Sequence, residues 1–317
     1  MIRVACIGVG HFGREHARIY STTASASLVA VCDTNPPNGQ RVADEHGAPF
    51  VSDYRELIGK VDAVSLAVPT VDHHSIACEL LKSGIAVLVE KPIARSVEEA
   101  DEMIEIAARH NAVLQVGHLE RFNPAVTAAA LIVTKPLFFE AHRLSIFTPR
   151  SLDIDVVMDL MIHDLDVVLS LVRSEVVEIR AAGVPILTPR IDIANARLLF
   201  ENGCVVNLTA SRVSHERVRK VRFFQPHEYI SIDYSAQEAS VVSVQSGAEG
   251  RPDFRSRLLD VERGEPLRLE IESFLAAVQG QPVRTTGPEG RRALALATGI
   301  TEKIREHAEM AGVPFQN

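Results

Sequence analysis

Gly8, Gly10 and Gly13 follow directly on the apolar run Ile2 to Ile7 and open an amphipathic stretch, and this placement constrains the chain more than any other feature. With Val9, His11 and Phe12 between the glycines, the run fits GxGxxG at a strand-to-helix turn. Side chains there would block the tight turn, the approach of a pyrophosphate, or the packing of helix on strand. The helix N-terminus would then face the phosphates with its unpaired amides. Asp33 ends the second apolar run, 20 residues after Gly13, where this fingerprint carries a carboxylate for the adenosine ribose hydroxyls. That carboxylate would repel a 2′-phosphate, and Thr34, Asn35 and Pro36 supply no adjacent Arg, so NAD is expected rather than NADP. The plainer readings are a glycine-rich turn and a turn aspartate; the context favours the cofactor.

The pattern up to Leu119 alternates short apolar runs with amphipathic stretches, as in a parallel sheet covered by helices. Strands are predicted over Ile2 to Ile7, Leu28 to Cys32, Ala63 to Val68, Ala86 to Val89 and Val113 to Val116. A helix begins at Ser96, with Glu99 completing a capping box, and ends near Asn111, which tolerates the left-handed conformation. After Arg121 the rhythm changes. Asn123 and Pro124 start a helix, and a strand is predicted from Phe138 to Phe147. A helix from Ile154 to Val172 comes next, then strands over Val176 to Gly183, Ala196 to Phe200, Val205 to Ser211, Val221 to Phe224 and Tyr229 to Asp233. Successive strands without crossover helices favour antiparallel pairing. Ser246 to Ser256 reads as an exposed loop, and helices over Leu267 to Gln279 and Pro288 to Ala311 close the chain. The expected fold class is α/β: an N-terminal Rossmann doubly wound parallel sheet over residues 1–121, then an α+β domain over 122–317 with a large, mostly antiparallel open sheet.

Composition removes several function classes. The chain has 317 residues, enough for two domains, and a net charge of −8, which argues against nucleic-acid or anionic-membrane partners. No signal peptide and no apolar run of membrane-spanning length are found, so a cytoplasmic protein is expected. Cys6, Cys32, Cys78 and Cys204 show no CxxC spacing and read as small apolar residues in a reducing compartment. No metal is expected.

Two groups are candidates for catalysis. Glu90, Lys91 and Pro92 stand at the end of the fourth predicted strand, where ligands bind in open α/β sheets. The Lys91 ammonium there could stabilise an alkoxide developing as hydride leaves, although an isolated Lys is usually a solvated charge. Asp159, His163 and Asp166 lie at i, i+4 and i+7 on an otherwise apolar helix, sharing one face. His163 could remove a hydroxyl proton. It could instead be a core histidine bonded to Asp159, or form a metal-binding pair with Asp164, for which the further ligands of a helical bundle are not in sight.

Together these residues resemble the superfamily of glucose-fructose oxidoreductase, inositol dehydrogenase and the rhizopine-catabolism protein, over essentially the whole chain. The matching features are the glycine loop with Asp33; Pro69 and Thr70 followed by His73; Glu90, Lys91, Pro92; and Asp159 with three residues between it and His163. The resemblance implies that Lys91 and His163 act in proton transfer, that Asp159 assists at the substrate, and that Pro69, Thr70, His73 and Glu90 line the cofactor beside Gly8, Gly10, His11, Phe12, Gly13, Asp33 and Lys91. It also implies that the second domain binds substrate and mediates homo-oligomerisation, as a dimer or tetramer. Within the superfamily, Gly117 to Pro124 and Asp159 to Asp164 are similar to UDP-N-acetylglucosamine 3-dehydrogenases. That implies a UDP-sugar substrate, with Glu120 and Arg121 near it; inositol dehydrogenases tend to carry Arg where Glu120 stands. A diphosphate needs positive charge, and Arg143, Arg150, Arg190, Arg212 and Arg217 are available, although a solvated surface would show as many. Rival readings are an inositol or free-sugar dehydrogenase, and a non-catalytic NAD-binding sensor, whose mark would be loss of the Lys or His. Bilin reduction, which runs from NADPH, is disfavoured by Asp33.

Overall fold

Six parallel strands lie in the order β3-β2-β1-β4-β5-β6: β1 (Ile2–Ile7), β2 (Ala26–Cys32), β3 (Phe50–Val51), β4 (Ala63–Leu66), β5 (Ala86–Glu90) and β6 (Leu114–Gly117). They come from a computed structural model that describes residues 1–148, 154–246 and 251–312. The crossovers are helices α1 (His11–Thr22), α2 (Pro36–His46), α3 (Thr70–Lys82) and α4 (Val97–Arg109). This is the doubly wound order, and the strand order reverses between β1 and β4, where such sheets open a ligand crevice. The Ser96 hydroxyl accepts from the Glu99 amide, and Asn111 takes φ 51, as the capping pattern predicts. β3 is an added strand, two residues long and too short to show a period.

Contacts divide the chain into two units, Met1–Leu119 with Glu265–Leu294, and Glu120–Gly264 with Ala295–Asn317. The expected cut after residue 121 lies two residues past this division, and the segment Glu265–Leu294, expected in the second domain, returns to the first unit. Packing explains the return. On α7 (Pro266–Val278), Ile271, Phe274 and Leu275 are buried in one cluster with Val4, Ile19 and Tyr20. Thr285 then covers the edge of β6, exchanging backbone and side-chain hydrogen bonds with Val116.

The second unit is built on eight strands in the order β14-β13-β12-β11-β7-β10-β9-β8. They are β7 (Phe138–Leu144), β8 (Val176–Val184), β9 (Ile193–Phe200), β10 (Val205–Ser211), β11 (Val218–Gln225), β12 (Glu228–Asp233), β13 (Glu238–Ser246) and β14 (Pro252–Leu258). All neighbours are antiparallel except β7 and β10. Alternate side chains on β7, Phe139, Ala141 and Arg143, are buried, so one face is covered. Helix α5 (Pro124–Ala130) is capped by Asn123, whose side chain accepts from the Ala125 amide.

Two expectations are corrected. The stretch Ser246 to Ser256 is not a loop over its described residues, because β13 runs to Ser246 and β14 starts at Pro252; 247–250 lie outside the described residues. β14 is an exposed, charged edge strand without the apolar alternation of a covered one. The helix expected from Ile154 to Val172 is π-helical over Val157–Met161, the Ile162 amide donating to the Val157 carbonyl, and becomes α6 at Ile162–Val172. Helix α8 (Gly287–Ala311) closes the chain, and among the described residues no helix is long and apolar enough to cross a membrane. All four cysteines are buried and free.

The turn after β1 depends on glycine. A methyl on Gly13 would sit 1.8 Å from the Gly8 carbonyl oxygen. Gly13→Ala is therefore expected to destabilise the protein by roughly 2 to 4 kcal/mol, as read from urea unfolding midpoints; an unchanged midpoint would refute the close approach.

Candidate active site

The loop after β1 and the ends of β2 and β4 enclose a cleft of about 870 Å³ lined by Gly8, Gly10, Asp33, Asn35, Asn38 and Pro69, among others. Gly8 has φ 78, and a methyl there would meet the Ala67 carbonyl at 2.8 Å, whereas Gly10 faces open space. His11 and Phe12 are exposed at the start of α1. Asp33 is held in place by its loops: Oδ2 accepts from the Val9 amide at 2.8 Å and Oδ1 from the Asn35 amide at 2.8 Å. A glycine loop open at Gly10, an oriented carboxylate and a cleft of this size fit an adenine dinucleotide. Arg55 also lines the cleft, unforeseen because it is remote from Asp33 in sequence. Its exposed guanidinium pairs with Glu79 at 3.2 Å and Asp53 at 3.5 Å.

Glu90 ends β5 with its carboxylate buried. Oε1 lies 3.0 Å from His16 Nε2, His16 Nδ1 lies 2.9 Å from Ser65 Oγ, and Ser65 Oγ lies 2.9 Å from the Tyr20 hydroxyl. Burial pushes the Glu90 carboxyl up, but the His16 hydrogen bond, with the charges of His16 and Lys91, outweighs it and leaves the group below its ordinary value. The other oxygen accepts from the Lys91 amide at 3.3 Å, and Gly117, paired with Glu90 across the sheet, leaves room for the carboxylate. Glu90 is thus an anchor under the half-buried Lys91 rather than an exposed lining group. His16, Ser65 and Tyr20 escaped the sequence reading; their one signal is polar residues where a strand and a buried helix face call for apolar ones.

His73 is likewise internal. Nε2 lies 3.0 Å from the Val68 carbonyl and Nδ1 3.0 Å from the Pro92 carbonyl, so the ring ties the loop after β4 to the loop after β5. Thr70 opens the same helix and Pro69 is at the cleft.

In the second unit, Arg143 on β7 organises the polar residues. Its Nε and Nη2 donate to Asp164 Oδ2 and Oδ1 at 2.7 and 3.0 Å, its Nη1 to Glu120 Oε1 at 3.0 Å, and its guanidinium lies 5.0 Å from the Tyr234 ring centroid. Both Asp164 oxygens are engaged, which leaves the His163–Asp164 metal pair without a ready carboxylate ligand. Glu120 is buried and bonded also by Asn123 at 3.2 Å. Arg121 donates to Asp166 at 3.3 Å, and Asp166 is buried. Asp159 and His163 remain half-buried. Asp159 sits inside the π turn, so the α-helical spacing behind the face expected for Asp159, His163 and Asp166 is not followed strictly between residues 159 and 163. Of the arginines considered for a diphosphate, Arg143 is consumed by its two carboxylates. Arg212 bonds the Ile154 carbonyl at 2.5 Å with Asp192 3.8 Å away, and Arg150 lies outside the described residues.

A glycine-loop cleft with an oriented carboxylate at the end of β2, and a lysine at the end of β5, fit an NAD-binding oxidoreductase. Residues 2–118 match the oxidoreductase family with an NAD-binding Rossmann fold, and residues 137–225 the GFO/IDH/MocA C-terminal domain. UDP-N-acetylglucosamine 3-dehydrogenase of Acidithiobacillus ferrooxidans is 40% identical over 302 residues, 94% of this chain and 96% of that protein. A solved structure of that enzyme matches with a TM-score of 0.89 at 38% identity, covering 96% of this chain and 98% of that one. Inositol 2-dehydrogenase of Rhizobium meliloti is 27% identical over 98% of this chain and 99% of its own. The levoglucosan dehydrogenase complex with NADH, at 22% identity and a TM-score of 0.85 over 96% and 97% of the two chains, shares the fold. The chain belongs to the Gfo/Idh/MocA family of oxidoreductases.

His73 gives this site a pH signature. Burial lowers its pKa and prevails over the Val68 and Pro92 carbonyls, which favour the protonated ring. Between the lowered value and the ordinary value of about 6.5, the unfolded chain binds a proton that the folded ring refuses. Stability contributed here is therefore full above about pH 6.5 and lost as pH falls through that window. In urea titrations from about pH 5 to 7.5, His73→Gln is expected to flatten the rise of stability with pH by up to about 1.4 kcal/mol per unit. Parallel curves would show that the ring titrates as an exposed one.

Proposed function

We propose that this protein oxidises a sugar hydroxyl to a ketone with NAD, acting on C3 of UDP-N-acetylglucosamine or a related UDP-sugar. The observation that carries the substrate is the near full-length likeness to the Acidithiobacillus enzyme, whose name states that reaction. The polar residues of the site support the chemistry. His163, half-buried on α6 beside the π turn, receives the hydroxyl proton, and Asp159 orients it. Lys91 donates a hydrogen bond to the oxygen as negative charge gathers there, and the buried Glu90 carboxylate keeps the charge of its loop balanced. NAD, when bound, supplies the acceptor for the hydrogen and electron pair of the C–H bond. Asp33, Gly8, Gly10, His11, Phe12, Gly13, Pro69 and Thr70 hold the cofactor, while His73 and Glu90 hold the loops that line it. Glu120 and Arg121 act at the substrate through the ion pairs they make, Glu120 with Arg143 and Arg121 with Asp166.

The inositol 2-dehydrogenases support a second reading, a free polyol as substrate. Glu120 weighs against it, because an arginine there would face Arg143 with like charge and leave the Arg143–Asp164 pair one carboxylate short. We further place the protein in the cytoplasm as a homo-oligomer, a dimer or tetramer. The four free thiols suit a reducing compartment. Phe224, Phe254, Leu258 and Val177 leave exposed apolar surface on the strands of the second unit.

Purified protein with UDP-N-acetylglucosamine and NAD is expected to form a trapped 3-keto sugar, identified by mass and NMR so that cofactor recycling in place is counted. Lys91→Ala and His163→Ala are each expected to lower turnover by about 10²- to 10⁴-fold while NAD still raises the melting temperature. Oxidation of a free inositol and of no UDP-sugar would replace the substrate. Wild-type turnover in either variant would remove that residue from the chemistry.

A further inference from the structure

The covered face of the second unit's sheet carries a second arginine, which the sequence reading passed over. Arg219 on β11 stands directly opposite Arg143 on β7, and it shares its face with Val221 and Phe223, both fully buried. Directly opposed residues of an antiparallel pair have Cβ atoms about 4.5 to 5.5 Å apart. Two arginine side chains therefore leave the sheet from directly opposed positions, close enough for each charge to act on the other, where an apolar face is expected. Arg143 is neutralised by Glu120 and Asp164, but Arg219 is not: its Nε is buried and, among the described residues, has no acceptor, and no carboxylate pairs with the side chain. Arg217, exposed just before β11 begins, also pairs with no carboxylate among the described residues. A half-buried cation set against another cation is costly unless an anion completes it. Burial and the nearby Arg143 charge accordingly lower the Arg219 pKa. Arg143 also locates the anion's place, since the carboxylate that fixes it, Asp164, is the neighbour of His163 on α6.

We propose that Arg219 receives the phosphate groups of the substrate through the fork of its guanidinium, with Arg217 adding charge at the rim, so that the second unit selects a nucleoside-diphosphate sugar over a free sugar. This inference rests on the sugar-nucleotide reading and names the residue that recognises its anionic half. A guanidinium can pair two phosphate oxygens at once, and a partly buried one does so with little competition from water. Arg217 is exposed, so salt and solvent weaken its share.

The test is binding of UDP to the full chain with NAD at saturation, so that the glycine-loop cleft is filled and UDP reports the second unit. Arg219→Gln is expected to weaken UDP binding by about thirtyfold or more and to raise KM for UDP-N-acetylglucosamine in proportion. Free N-acetylglucosamine, which lacks phosphate, is expected to be handled alike by both forms. Arg219→Lys, which keeps the charge and the stem and serves if the Gln variant fails to fold, is expected to lose at least fivefold because the fork is gone. Arg217→Gln should lose a few-fold, and rising KCl should erode that loss first. Wild-type UDP affinity in folded Arg219→Gln, or in Arg219→Lys, overturns the proposal. The two readings fail separately. If both forms oxidise the UDP-sugar equally well, Arg219 falls and the substrate stands; if UDP binds through Arg219 but no UDP-sugar is oxidised, the anion site stands and the substrate falls.

Discussion

The approach of α1 to the Gly8 carbonyl, possible because Gly13 has no side chain, is the constraint on which the first unit depends. With the helix that close, the residues three and seven positions further along the same face reach under the sheet. His16 meets Glu90 and Ser65, and Tyr20 meets Ser65. The loop that makes room for a pyrophosphate therefore also sets the position of Glu90, and through the Glu90 carboxylate the backbone of Lys91. Cofactor contact and the proposed catalytic lysine are joined by one packing distance. A methyl group at Gly13 would act on both, although Lys91 lies far along the chain.

In the second unit the organising group is Arg143, a guanidinium taken fully into the covered face of a sheet. Removing water from its charge opposes ionisation, and Asp164 and Glu120 more than restore it. The result ties β7, α6 and the chain entering α5 to one point. Because breaking one partner of such a buried set costs roughly 3 to 5 kcal/mol, α6 has little freedom to slide. The neighbouring residue His163 is held by an element whose register is fixed, while the π turn before it carries Asp159. Turns of this kind recur at functional sites because they redirect a side chain without ending the helix.

What was legible in the sequence was local. The Ser96 cap, Asn111 and the Asn123 cap each announce themselves within a few residues, and the structure builds them as read; the glycine loop and Asp33 are legible by motif and by their fixed spacing. The sheet of the first unit was legible because buried parallel strands are continuous apolar runs. β14 was not, since an exposed edge strand carries the charges of a loop. The π turn was not, since its residues are as compatible with an α-helix. The His16–Glu90 pair spans 74 positions and the Arg143–Glu120 pair 23, and no periodicity signals which distant polar residues will meet. The return of α7 to the first unit is of the same kind: its apolar face is readable, its partner is not.

Arg143 and Arg219 show why the same residue type on the same face can do two jobs. Placed opposite each other, they repel, and among the described residues carboxylates pair with Arg143 alone of the two. An aspartate beside Arg219 would have closed the account internally, as Asp164 does for Arg143, and would have left nothing for a ligand to complete. The overall charge of −8 does not oppose an anion here. Charges more than about 8 to 10 Å away are largely screened at physiological salt, whereas those in partly buried contact are not. By the same range, a partly buried pair of arginines can favour one small anion on a protein whose overall charge is negative.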